Sequence, residues 1–148
     1  MIDTNESIDV VLVEDNTNDA EFVIRTLSNY VPLKKILHII DGADALDYLF
    51  AVGKFRQRNI HQVPKFILLD LKLPKVSGIE VLQTMKDNTH TRAIPVVIFS
   101  SSREEEDVQM CYHLGASSFV VKPVDYKEYV DVIKHLAKYW LKVNEAPG

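Results

Sequence analysis

Short apolar runs recur along the chain at Val10 to Val13, Ile36 to Ile40, Phe66 to Leu69, Val96 to Phe99 and Phe119 to Val121. Each is too short for a helix, and unbroken runs of this length read as strands buried on both faces. The stretches between them space their apolar residues as helices do. Five alternating strand and helix units predict a parallel sheet covered by helices on both faces, an α/β fold. With 148 residues, 47% of them hydrophobic, the chain fits one globular domain with its own core, expected over about residues 8–143. Only a few residues follow the last helix, so no output domain is expected.

Helix starts are marked by capping residues. Asn16 or Thr17 precedes the first helix, Asp41 the second, and Ser102 with Glu105 reads as a capping box before the fourth. The fifth helix is expected after Pro123 and extends to about Val143. One connection, "AVGKFRQRNIHQVPK" from Ala51 to Lys65, is long. It joins a helix to a strand and so lies at the end of the sheet away from the strand-to-helix loops, where open α/β folds place their sites. Lys54, Arg56 and Arg58 therefore read as solvated surface, with a docking patch as the alternative.

Composition excludes several classes of function. The net charge is -4, and no run of Lys and Arg marks a nucleic-acid surface. The opening "MIDTNESIDV" lacks the basic and apolar regions of a secretory signal, and no apolar run approaches the roughly 20 residues that span a bilayer. A cytoplasmic protein is expected. The single cysteine, Cys111, excludes an internal disulfide and reads as an inert helical thiol. His38, His61, His90, His113 and His135 show no metal-ligand spacing and read as structural or surface residues.

The residues at the strands' C-terminal ends carry the chemistry. The first strand ends at Glu14 and Asp15, the third at Asp70, the fourth at Ser100, and the fifth at Lys122 followed by Pro123. In a parallel sheet these ends point the same way, so three carboxylates, a hydroxyl and an ammonium meet in one cleft. Singly, Asp15 could cap a helix, Ser100 open a turn and Lys122-Pro123 form an ordinary strand exit. Together the acids would raise one another's pKa unless a cation held them, and a hard oxygen-liganded ion such as Mg²⁺ suits the site.

"VLVEDN", "LLDLKLPKVSG", "PVVIFSSS" and "SFVVKP", in this order and spacing, resemble the receiver domain of two-component response regulators over nearly the whole chain. The resemblance implies a flavodoxin-like (βα)5 doubly wound fold, its five-stranded parallel sheet in the order 2-1-3-4-5, with an extended C-terminal helix. It implies that Asp70 accepts a phosphoryl group from a kinase phosphohistidine. Mg²⁺ would be held by Glu14, Asp15, Asp70 and the backbone carbonyl of Lys72, with Lys122 neutralising the moving charge. Ser100 would then donate to the phosphoryl group while Phe119 turns into the vacated space; a plain core aromatic is the other reading of Phe119. A cis bond before Pro123 is implied as the geometry that aims Lys122.

The stretch after "DALDYLF", "LLDLKLPK" itself and the tail "YWLKVNEAP" resemble the small stand-alone regulators paired with cyanobacterial phytochromes. A phytochrome-type sensor histidine kinase is the partner this implies. Two enzyme classes fit less well. A haloacid dehalogenase-type phosphatase needs a second acid where Lys72 stands, and a nucleotide-binding enzyme needs glycines that "VEDNTND" lacks. A phosphate-independent adaptor, or a phosphate sink in a relay, remains the alternative.

The last helix carries two apolar stripes. Tyr126, Tyr129, Val130, Ile133, Ala137, Trp140 and Leu141 suffice to cover the sheet, while Val132, Leu136, Tyr139 and Val143 form a second stripe beside them. One layer does not bury an arc this wide, so the second stripe predicts a symmetric homodimer, with Tyr139 and Val143 packing on the fourth helix or fraying in solvent as the alternative.

Overall fold

The computed structural model describes residues 7–147, so Met1 to Glu6 of the opening segment and Gly148 lie outside the described residues. Strands β1 (Val10–Val13), β2 (Ile36–Ile39), β3 (Phe66–Leu69), β4 (Val96–Ser100) and β5 (Ser118–Val121) alternate with helices α1 (Thr17–Leu27), α2 (Gly42–Phe50), α3 (Gly78–Lys86), α4 (Glu105–His113) and α5 (Tyr126–Ala137). The strands form one parallel sheet in the order β2-β1-β3-β4-β5. This is the expected fold, with strand ends within a residue of those read from the apolar runs.

Because side chains alternate across a strand, each apolar run supplies two cores. Val11, Val13, Ile67, Leu69, Val96 and Ile98 face α2, α3 and α4, packing with Ala45, Leu49, Val81, Leu82, Met85 and Cys111. Val10, Leu12, Phe66, Leu68, Val97 and Phe99 face α1 and α5, packing with Ala20, Val23, Leu27, Tyr129, Ile133 and Leu141. Cys111 is buried, and burial pushes its thiol up to about 11, in line with an inert side chain.

Asn16 caps α1 by accepting from the Asp19 amide (3.0 Å), and Asp41 caps α2 by accepting from the Asp44 amide (2.7 Å). The capping box expected at Ser102 and Glu105 does not form. Helix α4 starts at Glu105 itself, with Glu104 before it and no side-chain cap. The Ser102 hydroxyl is engaged elsewhere: it donates to Asp107 Oδ2 (2.6 Å) and accepts from the Glu104 amide (3.2 Å). Glu105, Glu106 and Asp107 in the first turn complement the helix dipole instead.

The long connection holds a second correction. Lys54 lies on the surface, paired with Asp44 (2.7 Å), and Arg56 is exposed. Arg58, however, is buried. Its planar guanidinium sits 4.2 Å from the Tyr48 ring centroid and donates to the Gln62 carbonyl at 2.6 Å, which folds the connection inward. His38 donates from Nε2 to the Glu14 carbonyl (2.7 Å), and the other four histidines are exposed, His61 and His90 edge to face.

Helix α5 continues to Val143, as expected, but its last turns, Lys138–Val143, are wound as π-helix. Tyr129, Ile133, Ala137 and Leu141 of the sheet-facing stripe are buried, and Trp140 stacks on Phe66 at 6.0 Å. Tyr126, expected in that stripe, is the first residue of α5 and is 59% exposed, touching, among the described aromatic residues, only the edge-on Phe22 ring at 5.1 Å. In the second stripe, Val132 and Leu136 are partly buried against the α1–α5 core, whereas Tyr139 and Val143 are exposed.

Candidate functional site

Sheet register builds the site. Val13 lies opposite Leu69 and the ladder runs on, the Asp70 amide donating to the Val13 carbonyl (3.1 Å), so Glu14 and Asp70 emerge side by side. Alternation puts both on the α1–α5 face, with Leu12 and Leu68. Ser100 pairs with Val121, and the Lys122 amide donates to the Ser100 carbonyl (2.8 Å), which fixes where the lysine leaves the sheet. Lys122 emerges on the face of Val120, the α1–α5 side, while Ser100 shares the face of Ile98, where Phe119 also packs.

Glu14, Asp70 and Ser100 are all buried, and Asp15 is exposed at the rim. Lys122 Nζ donates to Glu14 Oε1 at 2.5 Å, to Asp70 Oδ2 at 2.9 Å and to Asp19 Oδ2 at 3.1 Å. It also lies 5.9 Å from the centre of the Phe99 ring. The other Asp70 oxygen accepts from the Leu71 amide at 2.7 Å, so the carboxylate is held at both ends. Ser100 Oγ accepts from the Ser102 amide at 3.2 Å.

Burial pushes the Glu14 carboxyl up to about 7 although the Lys122 hydrogen bond opposes it. Burial disfavours the Lys122 ammonium, yet its hydrogen bonds to Glu14 and Asp70 outweigh this and raise its pKa. One ammonium therefore does not satisfy the acids. Glu14, Asp15 and Asp70 offer oxygens that lie within 4.8 Å of one another, a donor set of carboxylates that fits a hard divalent cation.

The β3–α3 connection that completes the cleft is pinned by glycines. A Cβ on Gly78 would lie 2.1 Å from the Asp70 carbonyl oxygen, and one on Gly42 would lie 1.9 Å from that of Val76. Only a bare Cα lets the loop approach the first turns of α3 and α2 this closely. Lys72 is on the exposed part of the loop.

The structure thus brings together Glu14, Asp15, Asp70, Ser100 and Lys122. The expected cis bond before Pro123 is not present, since no peptide bond among the described residues is cis. A trans bond is the intrinsically favoured form even before proline, and Lys122 reaches the acids with it. Phe119 is partly buried on the α4 side, and its amide donates to the Tyr112 hydroxyl at 3.1 Å. Asp19 escaped the sequence reading. Its signal was its place in the first turn of the helix that follows Glu14 and Asp15, one turn beyond them.

Known proteins resemble this chain in sequence and in fold. The probable methanogenesis regulatory protein FilR2 of Methanothrix harundinacea is 32% identical over 100% of this chain and 93% of its own. Response regulator Rcp1 of Synechocystis sp. is 30% identical over 94% of this chain and 92% of its own, and the Mn²⁺-bound form of Rcp1 superimposes with a TM-score of 0.89 over 97% of this chain and 100% of its own. The phosphorylated cyanobacterial phytochrome response regulator RcpA, 30% identical, also gives 0.89, over 97% and 100% of the two chains. The response regulator receiver domain family matches residues 10–134, and the chain belongs to that family.

Proposed function

We propose that this receiver domain accepts a phosphoryl group on Asp70 from the phosphohistidine of a sensor kinase, and that the kinase is a phytochrome. The observation that carries the reading is the convergence of Glu14, Asp15 and Asp70 around Lys122, whose ammonium bridges Glu14 and Asp70. Asp70 attacks phosphorus in line, an O–P bond forming as the P–N bond of the phosphohistidine breaks and the imidazole leaves with the bond's electron pair. The Leu71 amide holds one Asp70 oxygen and so orients the carboxylate for attack. Glu14, Asp15, Asp70 and the Lys72 carbonyl would hold Mg²⁺, which when bound offsets negative charge on the phosphoryl oxygens. Lys122 shifts from the carboxylates to those oxygens, and the Ser100 hydroxyl donates to the product.

Phe119 shares the face of Ser100, so inward movement of Ser100 opens space into which Phe119 turns, and Pro123 fixes the exit of β5 beside Lys122. The resulting change is read at the α5 side, where Val132, Leu136, Tyr139 and Val143 mark a homodimer face, its exposed part being Tyr139 and Val143. The phytochrome assignment is supported by the likeness to RcpA. The setting is the cytoplasm, and the chain is a signalling protein whose chemistry is its own phosphorylation and dephosphorylation.

Incubation with a phosphorylated phytochrome kinase tests the proposal. The wild type takes up label in Mg²⁺ and takes up little when excess chelator is present from the start, and Asp70→Asn takes up none. Full labelling of Asp70→Asn, or undiminished transfer in chelator, refutes it.

A further inference from the structure

Of the three acids that Lys122 contacts, Asp19 stands apart. Glu14 and Asp70 belong to the set that fits a cation, whereas Asp19 lies in the first turn of α1 and outside that set. A phosphoryl group on Asp70 draws the ammonium toward its oxygens, leaving Asp19 without its cation. The released carboxylate is only partly exposed, its side chain retaining 29% of its accessible surface, so a donor on its buried side would complement what water supplies.

Tyr129 offers one. Its ring lies between Phe99 (5.2 Å, edge-on) and Phe22 (6.4 Å, edge-on), and the residue is 7% exposed. Its hydroxyl is buried and has no hydrogen-bond partner among the described residues, an unfavourable state for a buried polar group. Tyr129 lines, with Asp19 and Lys122, one cavity of about 270 Å³ beside the acidic cleft. Burial, and after it the charge of Asp19, raises the phenol's pKa, so the group remains a donor.

We propose that Asp19 and Tyr129 are positioning residues that exchange partners with the phosphorylation state: Asp19 holds Lys122 in the resting protein and accepts the Tyr129 O–H once Lys122 has moved to the phosphoryl group. The exchange satisfies a stranded hydroxyl and a stranded carboxylate together, so it stabilises the phosphorylated state. It also ties α1 to α5 across the cavity. The inference rests on the reading of Asp70 as phosphoacceptor.

Beryllium fluoride, a mimic of the phosphoryl group on a carboxylate, separates the two. Its affinity in the presence of Mg²⁺ is titrated for the wild type, Tyr129→Phe, Asp19→Ala and the double variant, alongside Mg²⁺ affinity without fluoride. Tyr129→Phe, which keeps the ring contacts, weakens beryllium fluoride binding about tenfold, the scale of one hydrogen bond to a charged group. Its Mg²⁺ affinity is unchanged, and the same substitution in the Asp19→Ala background has less than about a twofold effect. Asp19→Asn, which still accepts a hydrogen bond, restores part of the Tyr129 effect. Equal beryllium fluoride binding by Tyr129→Phe and the wild type, or an undiminished Tyr129 effect without Asp19, overturns this inference alone. A wild type that takes up no beryllium fluoride overturns it together with the phosphoacceptor reading.

Discussion

In a chelator, raising the pH from about 5 to about 8 destabilises the folded chain, and Glu14 is the reason. Its carboxyl rises from 4.5 to about 7 on folding, chiefly because burial disfavours the charged form. Between those values the folded protein keeps a proton that the unfolded chain has lost, so stability falls as pH rises through the window and levels off above about 7. A shift of this size corresponds to about 3 kcal/mol. For a domain of this length that is a drop in Tm of roughly 6–12 °C. Lys122, its pKa raised by the same contacts against the opposing effect of burial, stays charged throughout. Mg²⁺ at a hundredfold excess over its Kd returns about 2.7 kcal/mol by mass action at pH 8, and less at pH 5, where it must first displace the Glu14 proton. Thermal unfolding of the wild type and Glu14→Gln, in chelator and in Mg²⁺, measures this. Glu14→Gln has no such titration, so the difference between the two curves isolates it. Equal losses in both proteins, or Mg²⁺ stabilisation that is the same at both pH values, refutes the reasoning.

Gly78→Ala places a Cβ against the Asp70 carbonyl and the Leu71 Cα, both backbone, so urea unfolding shows a loss of roughly 2–4 kcal/mol and phosphoryl uptake slows with it. Lys72→Ala and Ser102→Ala change the decay rate of phosphorylated Asp70 but not its formation, because both flank the cleft and Ser102 fixes its loop through Asp107; the decay of purified phosphoprotein checks this. If the proposed homodimer forms through Tyr139 and Val143, Tyr139→Glu with Val143→Glu sediments as a monomer at tens of micromolar; a monomeric wild type, or a double variant that dimerises equally well, removes the interface.

The legible parts of the fold were those set by local pattern. Short apolar runs and capping residues fix elements within a few neighbours, so the strands and the Asn16 and Asp41 caps stand where their sequences put them. What failed depended on which of several nearby partners a side chain takes, a choice that spacing alone does not rank. Arg58 carries the chemistry of a surface residue, and only the Tyr48 ring and the Gln62 carbonyl, both set by how the connection closes, account for its burial. Ser102 and Glu105 have capping-box spacing, but Asp107 competes for the hydroxyl and takes it.

The site was legible for a different reason, and the same reason marks where legibility stopped. In a parallel sheet, the residue after each strand lands at one rim whatever the helices do, so Glu14, Asp70, Ser100 and Lys122 could be gathered from strand ends alone. Their division between faces needs register as well. With Val13 opposite Leu69 and Ser100 opposite Val121, the acids and Lys122 fall on the α1–α5 face, while Ser100 and Phe119 fall on the other. The proposed phosphoryl group on Asp70 would therefore meet Ser100 and Phe119 of the other face only at the rim. The partners of a long flexible side chain are a further step removed, because reach and not register selects them. In sequence Asp19 is simply a first-turn acid and Tyr129 a core aromatic. Their joint role appears only when the Lys122 ammonium is seen shared among three carboxylates beside a buried hydroxyl that has none.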